Sequence, residues 1–93
     1  MNTLYLSIKK VYFDQILNGL KTQEYRTDTQ YYSKLLNKDY TSIRLHYYRY
    51  PHLVCDITSI KKIPNSFNFD FIKTPFIYEI SLTNPRLVER SKF

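Results

Sequence analysis

The fold of this chain is decided by residues 4–26, which read LYLSIKKVYFDQILNGLKTQEYR. Apolar and polar residues alternate from Leu4 to Ile8, which predicts a β-strand. The next apolar residues keep the helical i, i+3, i+4, i+7 spacing, at Phe13, Ile16, Leu17 and Leu20. That spacing predicts a helix with one apolar face. Gly19 is the only glycine of the chain, and we expect it to end this helix in the left-handed conformation.

The rest of the sequence predicts a second short helix and four further strands. Lys21–Arg26 is predicted as the second strand. A helix should follow it, with Asp28 or Thr29 as its N-cap and an end near Asn37. The other strands are predicted at Ser42–Tyr48, at His52–Ile63, and from Phe76 to a stop at Asn84-Pro85. Before the last strand we expect a loop that carries Phe67, Phe69 and Phe71.

This succession predicts an α+β, β-rich fold. Five strands with two short helices suit a small, partly closed β-barrel with the helices against its ends. The core should contain Phe13, Ile16, Leu17, Ile43, Leu45, Ile57, Tyr78 and Ile80. A chain of 93 residues is long enough for one hydrophobic core and too short for two. We therefore expect a single domain over residues 1–93.

The composition excludes several classes of protein. With 43% hydrophobic and 24% charged residues, the chain can bury a core and is not disordered by composition. No apolar run approaches the roughly 20 residues that a membrane span needs. The single cysteine, Cys55, cannot form an internal disulfide, and it has no metal-ligand spacing with His46 or His52. We expect a cytoplasmic protein without membrane contact, metal or cofactor, and its oligomeric state stays open.

Positive charge and aromatic residues are both abundant. Fourteen Lys and Arg stand against eight Asp and Glu, for a net charge of +6, and the chain has ten tyrosines and six phenylalanines. Cations contact phosphates while aromatic rings stack on bases, so this combination favours single-stranded nucleic acid as the partner, above all RNA. The alternative is that an AT-rich coding sequence supplies Lys and Tyr without any functional meaning.

One motif stands at the junction of the first helix and the second strand. It reads Gly19-x-Lys21-x-x-Glu24-x-Arg26. Placed after a strand and an amphipathic helix, it resembles the ASCH domains of the PUA-like superfamily. The motif supports the resemblance over residues 1–26, and the rest of the chain shares only its succession of strands. The resemblance implies a PUA-like barrel with a cleft beside the helices, and a role in RNA binding or in hydrolysis of modified nucleosides or RNA.

The motif residues also suggest a binding site by their chemistry. Glu24 and Arg26 lie two apart on a predicted strand and share a face, with Thr22 beside them. A carboxylate oriented by arginine can accept N–H and O–H groups of a base or ribose, and the arginine can contact phosphate. Lys21 adds a flexible cation. The alternative is an exposed salt bridge that contributes less than about 1 kcal/mol.

Further candidates lie on the first and third strands. Ser7 and Lys9 share a face of the first strand, which the resemblance places beside the motif strand. Ser7 could offer a hydroxyl to the ligand and Lys9 a phosphate contact, although Lys9 could equally be an ordinary solvated residue. Arg44 and Tyr48, with His46 between them, form one face of the third strand. They could extend the binding surface or form the solvent face of the sheet.

Three functions are consistent with these residues. The first is a non-catalytic RNA- or nucleotide-binding module. The second is a hydrolase, because similar domains that deacetylate N4-acetylcytidine resemble K-T-x-T-x-R, with the second threonine as nucleophile. This chain keeps Lys21, Thr22 and Arg26 but has Glu24 in place of that threonine, so Thr22 would have to substitute, or Lys21 and Glu24 would act as acid–base groups. The third is a protein-binding inhibitor or adaptor of phage-like origin, since tyrosines favour interfaces.

Overall fold

The computed structural model describes residues 2–66 and 73–89 of the chain. Its elements in chain order are β1 (Thr3–Ser7), α1 (Lys10–Leu17), β2 (Gln23–Thr27), α2 (Gln30–Leu35), β3 (Ser42–His46), β4 (His52–Pro64) and β5 (Phe76–Val88). The predicted phenylalanine loop, with Phe67, Phe69 and Phe71, lies outside the described residues. Within these ranges, neither helix has the length and apolar character that crossing a bilayer would take.

The strands form a five-stranded sheet in the order β1-β3-β4-β5-β2. β1 and β3 are parallel, and the other neighbours are antiparallel. The sheet curls into a half-barrel accompanied by two helices, which confirms the predicted small, partly closed α+β barrel. The resemblance would place β1 beside the motif strand β2, but in this sheet β1 and β2 are the two opposite edges and are not neighbours.

The core lies on the concave face of this sheet and under α1. The buried apolar side chains of the cluster are Leu4, Leu6, Ile8, Phe13, Ile16, Leu36, Ile43, Leu45, Leu53, Cys55, Tyr78, Ile80 and Leu82. Of the predicted core residues, Leu17 and Ile57 are only partly buried, although they pack against this cluster. Burial raises the pKa of the Cys55 thiol to about 11, so this cysteine behaves as a small apolar residue.

The last strand does not stop at Asn84-Pro85 as predicted. Asn84 has a left-handed backbone, with φ of 55°, and the β4–β5 register shifts between Val54 and Asp56. Cys55 therefore lies opposite two residues, Asn84 and Pro85, in a β-bulge. Because a bulge leaves one residue unpaired, the missing N–H of proline is tolerated there and pairing resumes beyond it.

The junction between α1 and β2 is a glycine-dependent helix end. Gly19 has φ of +76°, which confirms the predicted left-handed cap. Its N–H donates to the Ile16 carbonyl at 3.1 Å, and the Leu20 N–H donates to the Gln15 carbonyl at 2.8 Å. This pair of bonds is the Schellman pattern. The helix thus ends before Leu20, whose side chain is exposed instead of joining the apolar face as predicted.

We expect Gly19→Ala to lower the free energy of unfolding by about 1 kcal/mol, because a β-carbon disfavours the left-handed conformation. Apart from Gly19 itself and the adjoining chain, no heavy atom of the described structure lies within 4 Å of the position that a Cβ would take at Gly19. The substitution therefore costs only backbone strain. Gly19→Asn is the matched control and should cost less, since asparagine tolerates this conformation. Urea denaturation measures both, and an alanine variant as stable as the wild type would contradict the account.

Candidate functional site

A cavity of about 730 Å³ lies at the end of the half-barrel where β1, β2 and β3 come together. Its walls include the residues that follow β1, single residues of α1 and α2, most of β2 and the turn after β3. The residues that line it are Ser7, Ile8, Lys9, Tyr12, Lys21, Glu24, Tyr25, Arg26, Thr27, Tyr32, His46, Tyr47 and Tyr48. The cavity is therefore bordered by cations and tyrosines around one acidic residue.

The acidic residue, Glu24, is buried although it lies on an edge strand. It pairs with Ile80 of β5 in the strand register, and only 5% of it is exposed. A buried carboxylate is costly unless it is paired. Its Oε2 lies 2.6 Å from Nη2 of Arg26, and its Oε1 lies 3.6 Å from Nζ of Lys21. The alternative of an exposed salt bridge is therefore wrong, because each carboxylate oxygen has its own cation in a buried setting.

Arg26 connects the two edges of the sheet. Its Nη2 donates to the Glu24 carboxylate and also to the Ser7 carbonyl oxygen at the end of β1, at 2.8 Å. Its Nη1 donates to the Tyr32 hydroxyl oxygen of α2 at 3.1 Å. The guanidinium group thus links β1, β2 and α2, although β1 and β2 are the two opposite edges of the sheet.

Tyrosine rings surround the cations of the cavity. Nζ of Lys21 lies 5.0 Å from the centroid of the Tyr12 ring and 5.3 Å from that of Tyr25. Cζ of Arg26 lies 5.9 Å from the Tyr32 ring centroid. These distances suit cation–π attraction, which holds the ammonium and guanidinium groups beside aromatic walls.

Tyr25 is held in its neutral form. Burial and, after it, the hydrogen bond to Glu79 raise the pKa of the Tyr25 hydroxyl above its ordinary value. The hydroxyl donates to Oε2 of Glu79 at 3.1 Å. Its ring borders the cavity as an uncharged surface. Its hydroxyl is hydrogen-bonded to Glu79 on the neighbouring strand, β5.

The structure brings most of the sequence-predicted candidates to this cavity. Those that line it are Ser7, Lys9, Lys21, Glu24, Arg26 and Tyr48. Ser7 contributes its backbone carbonyl to Arg26. Thr22 does not line the cavity: it is exposed, and its hydroxyl donates to the Gln23 side chain at 3.0 Å. Arg44 also lies elsewhere, on the face of β3 opposite the core.

Several tyrosines of the cavity wall were not predicted from the sequence. Tyr32 of α2 is partly buried, and its hydroxyl accepts a hydrogen bond from Arg26. Tyr12 stands one helical turn before the buried Ile16, and that i, i+4 spacing is a signal that could have placed it inward. For Tyr25, strand alternation predicts the face opposite Glu24, so no pattern indicated its position beside the cavity.

Comparisons with models of protein families, with curated proteins and with solved structures give no match for this chain. The resemblance to ASCH domains therefore stays a prediction that rests on the motif at residues 19–26. Among residues 2–66 and 73–89, no group of three or more His, Cys, Asp or Glu side chains is placed to hold a metal ion.

We expect Tyr32→Phe to lower the free energy of unfolding by about 1–2 kcal/mol, because it removes the acceptor of a charged donor on Arg26. Tyr31→Phe is the matched control: it removes the hydroxyl of the preceding residue in α2, which is 66% exposed, and should change stability by less than about 0.5 kcal/mol. Equal effects of the two variants in urea denaturation would contradict the assigned role of the Arg26 network.

Proposed function

We propose that this protein is a binding module for RNA, or for nucleotides of the same chemistry, and that the ligand enters the cavity at Glu24. The observation that supports this most is the buried Glu24 carboxylate, fixed by Arg26 and Lys21, at the centre of a cavity walled by tyrosines. A volume of about 730 Å³ falls in the range of small-molecule sites and suits a ligand of nucleotide size.

Each part of the cavity matches a part of a nucleotide. An ionised carboxylate is an acceptor only, so Glu24 suits the N–H groups on the edge of a base or the hydroxyls of a ribose. Tyrosine faces suit stacking on the base. Lys9 and Lys21, which both line the cavity, suit the phosphate, and the net charge of +6 favours encounter with a polyanion.

The proposal includes a cytoplasmic location, where RNA is abundant and thiols stay reduced. Cys55, the single cysteine of the chain, is a free and buried thiol. The proposed partner is RNA or another single-stranded nucleic acid.

Hydrolysis of a modified nucleoside such as N4-acetylcytidine, or of RNA, is the second candidate. One observation favours it: Nζ of Lys21 lies 3.6 Å from Oε1 of Glu24 inside the cavity, as an acid–base pair would. The exposed position of Thr22 does not favour a threonine nucleophile. Product detected by mass spectrometry with the wild type, and lost in Glu24→Gln, would replace the binding proposal by the enzymatic one.

We expect a labelled RNA of about ten nucleotides to bind with an affinity that falls steeply between about 50 and 200 mM salt. Lys9→Ala should weaken binding and reduce the slope of log K against log salt by about 0.7, the value for one phosphate contact on a single strand. Lys9 is exposed, and exposed substitutions usually change stability by less than about 0.5 kcal/mol, so the fold should persist. Fluorescence polarisation measures both quantities.

Lys61→Ala is the matched control for charge. Lys61 is exposed on β4 and does not line the cavity, so its substitution should leave the slope unchanged. Equal effects of the two substitutions would mean that RNA binds elsewhere. Absence of RNA binding at any salt concentration would contradict the proposed function and favour a protein partner.

A further inference from the structure

The turn between β3 and β4 has an unusual residue at its first central position. Tyr50 N–H donates to the Tyr47 carbonyl at 3.1 Å, which closes a β-turn over residues 47–50. Tyr48 has a positive φ of 46°, and no other residue of this turn does. A β-turn with a positive φ at its first central position normally has glycine, asparagine or aspartate there. A bulky side chain there strains the backbone.

Stability does not account for this tyrosine. Its side chain is exposed to 81%, so burial of the ring offsets little of the backbone strain. Strained residues persist where the surroundings hold them in place, and they concentrate at binding sites. The exposed ring at a strained position therefore indicates a role outside the folded core.

The Tyr48 ring contacts a row of aromatic rings beside the cavity. Its ring meets that of Tyr47 edge to face, with centroids 4.6 Å apart, and Tyr47 stacks on Tyr50 at 5.5 Å. Tyr50 in turn contacts the ring of Phe13 in the core. Tyr48 also lines the same cavity as Glu24 and Lys9. The Tyr48 ring is thus a planar aromatic surface that is exposed to solvent next to the proposed nucleotide site. It is connected to the core through the row of neighbouring rings.

We propose that Tyr48 is the stacking platform for a second nucleobase, so that the ligand is a strand of at least two nucleotides and not a mononucleotide. This inference rests on the proposed function and specifies its ligand. One base lies in the cavity beside Glu24, and its neighbour leaves the cavity and stacks on the Tyr48 ring. Stacking on an aromatic face is tolerant of base identity, so this second position adds affinity without sequence preference.

The test compares Tyr48→Gly with Tyr48→Phe and with Tyr5→Ala as the control, which removes an exposed tyrosine away from the cavity. Tyr48→Gly should weaken binding of the labelled RNA by roughly 5- to 150-fold, the loss of one stacked base. Its affinity for the ribonucleoside 5′-monophosphates, measured by their displacement of the RNA, should stay unchanged. Tyr48→Phe keeps the ring and should bind RNA like the wild type, as should Tyr5→Ala.

A second readout separates a binding role from a structural one. Glycine suits a positive φ, so the thermal midpoint of Tyr48→Gly should equal or exceed that of the wild type. A clear drop in the midpoint would overturn the inference by making Tyr48 a structural residue. If Lys9→Ala weakens RNA binding and Tyr48→Gly does not, the inference fails and the proposed function stands. If the wild type binds no RNA, both fail.

Discussion

The Arg26 guanidinium group lies between the two edges of the half-barrel, where it donates to the Ser7 carbonyl after β1 and to the Glu24 carboxylate on β2. An open sheet leaves backbone groups and apolar surface uncovered at its edges, and a barrel removes that exposure by closing. This chain closes only halfway. Within residues 2–66 and 73–89, β1 and β2 are not joined by a ladder of backbone bonds, and the Arg26 side chain links them instead. The cavity is lined by residues of both strands beside this link.

A buried ion pair is weak evidence for stability, because apolar residues of the same size often stabilise a site as well or better. Glu24 and Arg26 stand beside apolar neighbours such as Ile80 and Tyr78 in the strand register. A purely structural closure could be made by such residues alone. The proposed function explains the carboxylate more directly: we propose that it is a fixed acceptor for a ligand whose phosphate and base contact the lysine and the tyrosines around it.

Local residue spacing in the sequence predicts the strands, the helix cap and the residues of the motif. The glycine at position 19 and the alternation around Glu24 are signals of that kind. The order of the strands depends on contacts distant in sequence, and local spacing does not indicate that β1 and β2 are the two opposite edges of the sheet. The bulge at Asn84-Pro85 and the strained turn at Tyr48 were also missed, since in both the tertiary structure holds a backbone conformation that local propensity disfavours.

The central claim is that Glu24 and Arg26 interact as a buried pair that organises the site. A double-mutant cycle with Glu24→Gln and Arg26→Gln, measured by urea denaturation, tests it most directly. The exposed pair of Asp56 and Arg86, 3.1 Å apart, serves as the reference cycle. The account predicts a coupling free energy of about 1–3 kcal/mol for the buried pair and of less than about 1 kcal/mol for the exposed one. Equal coupling in the two cycles would contradict it.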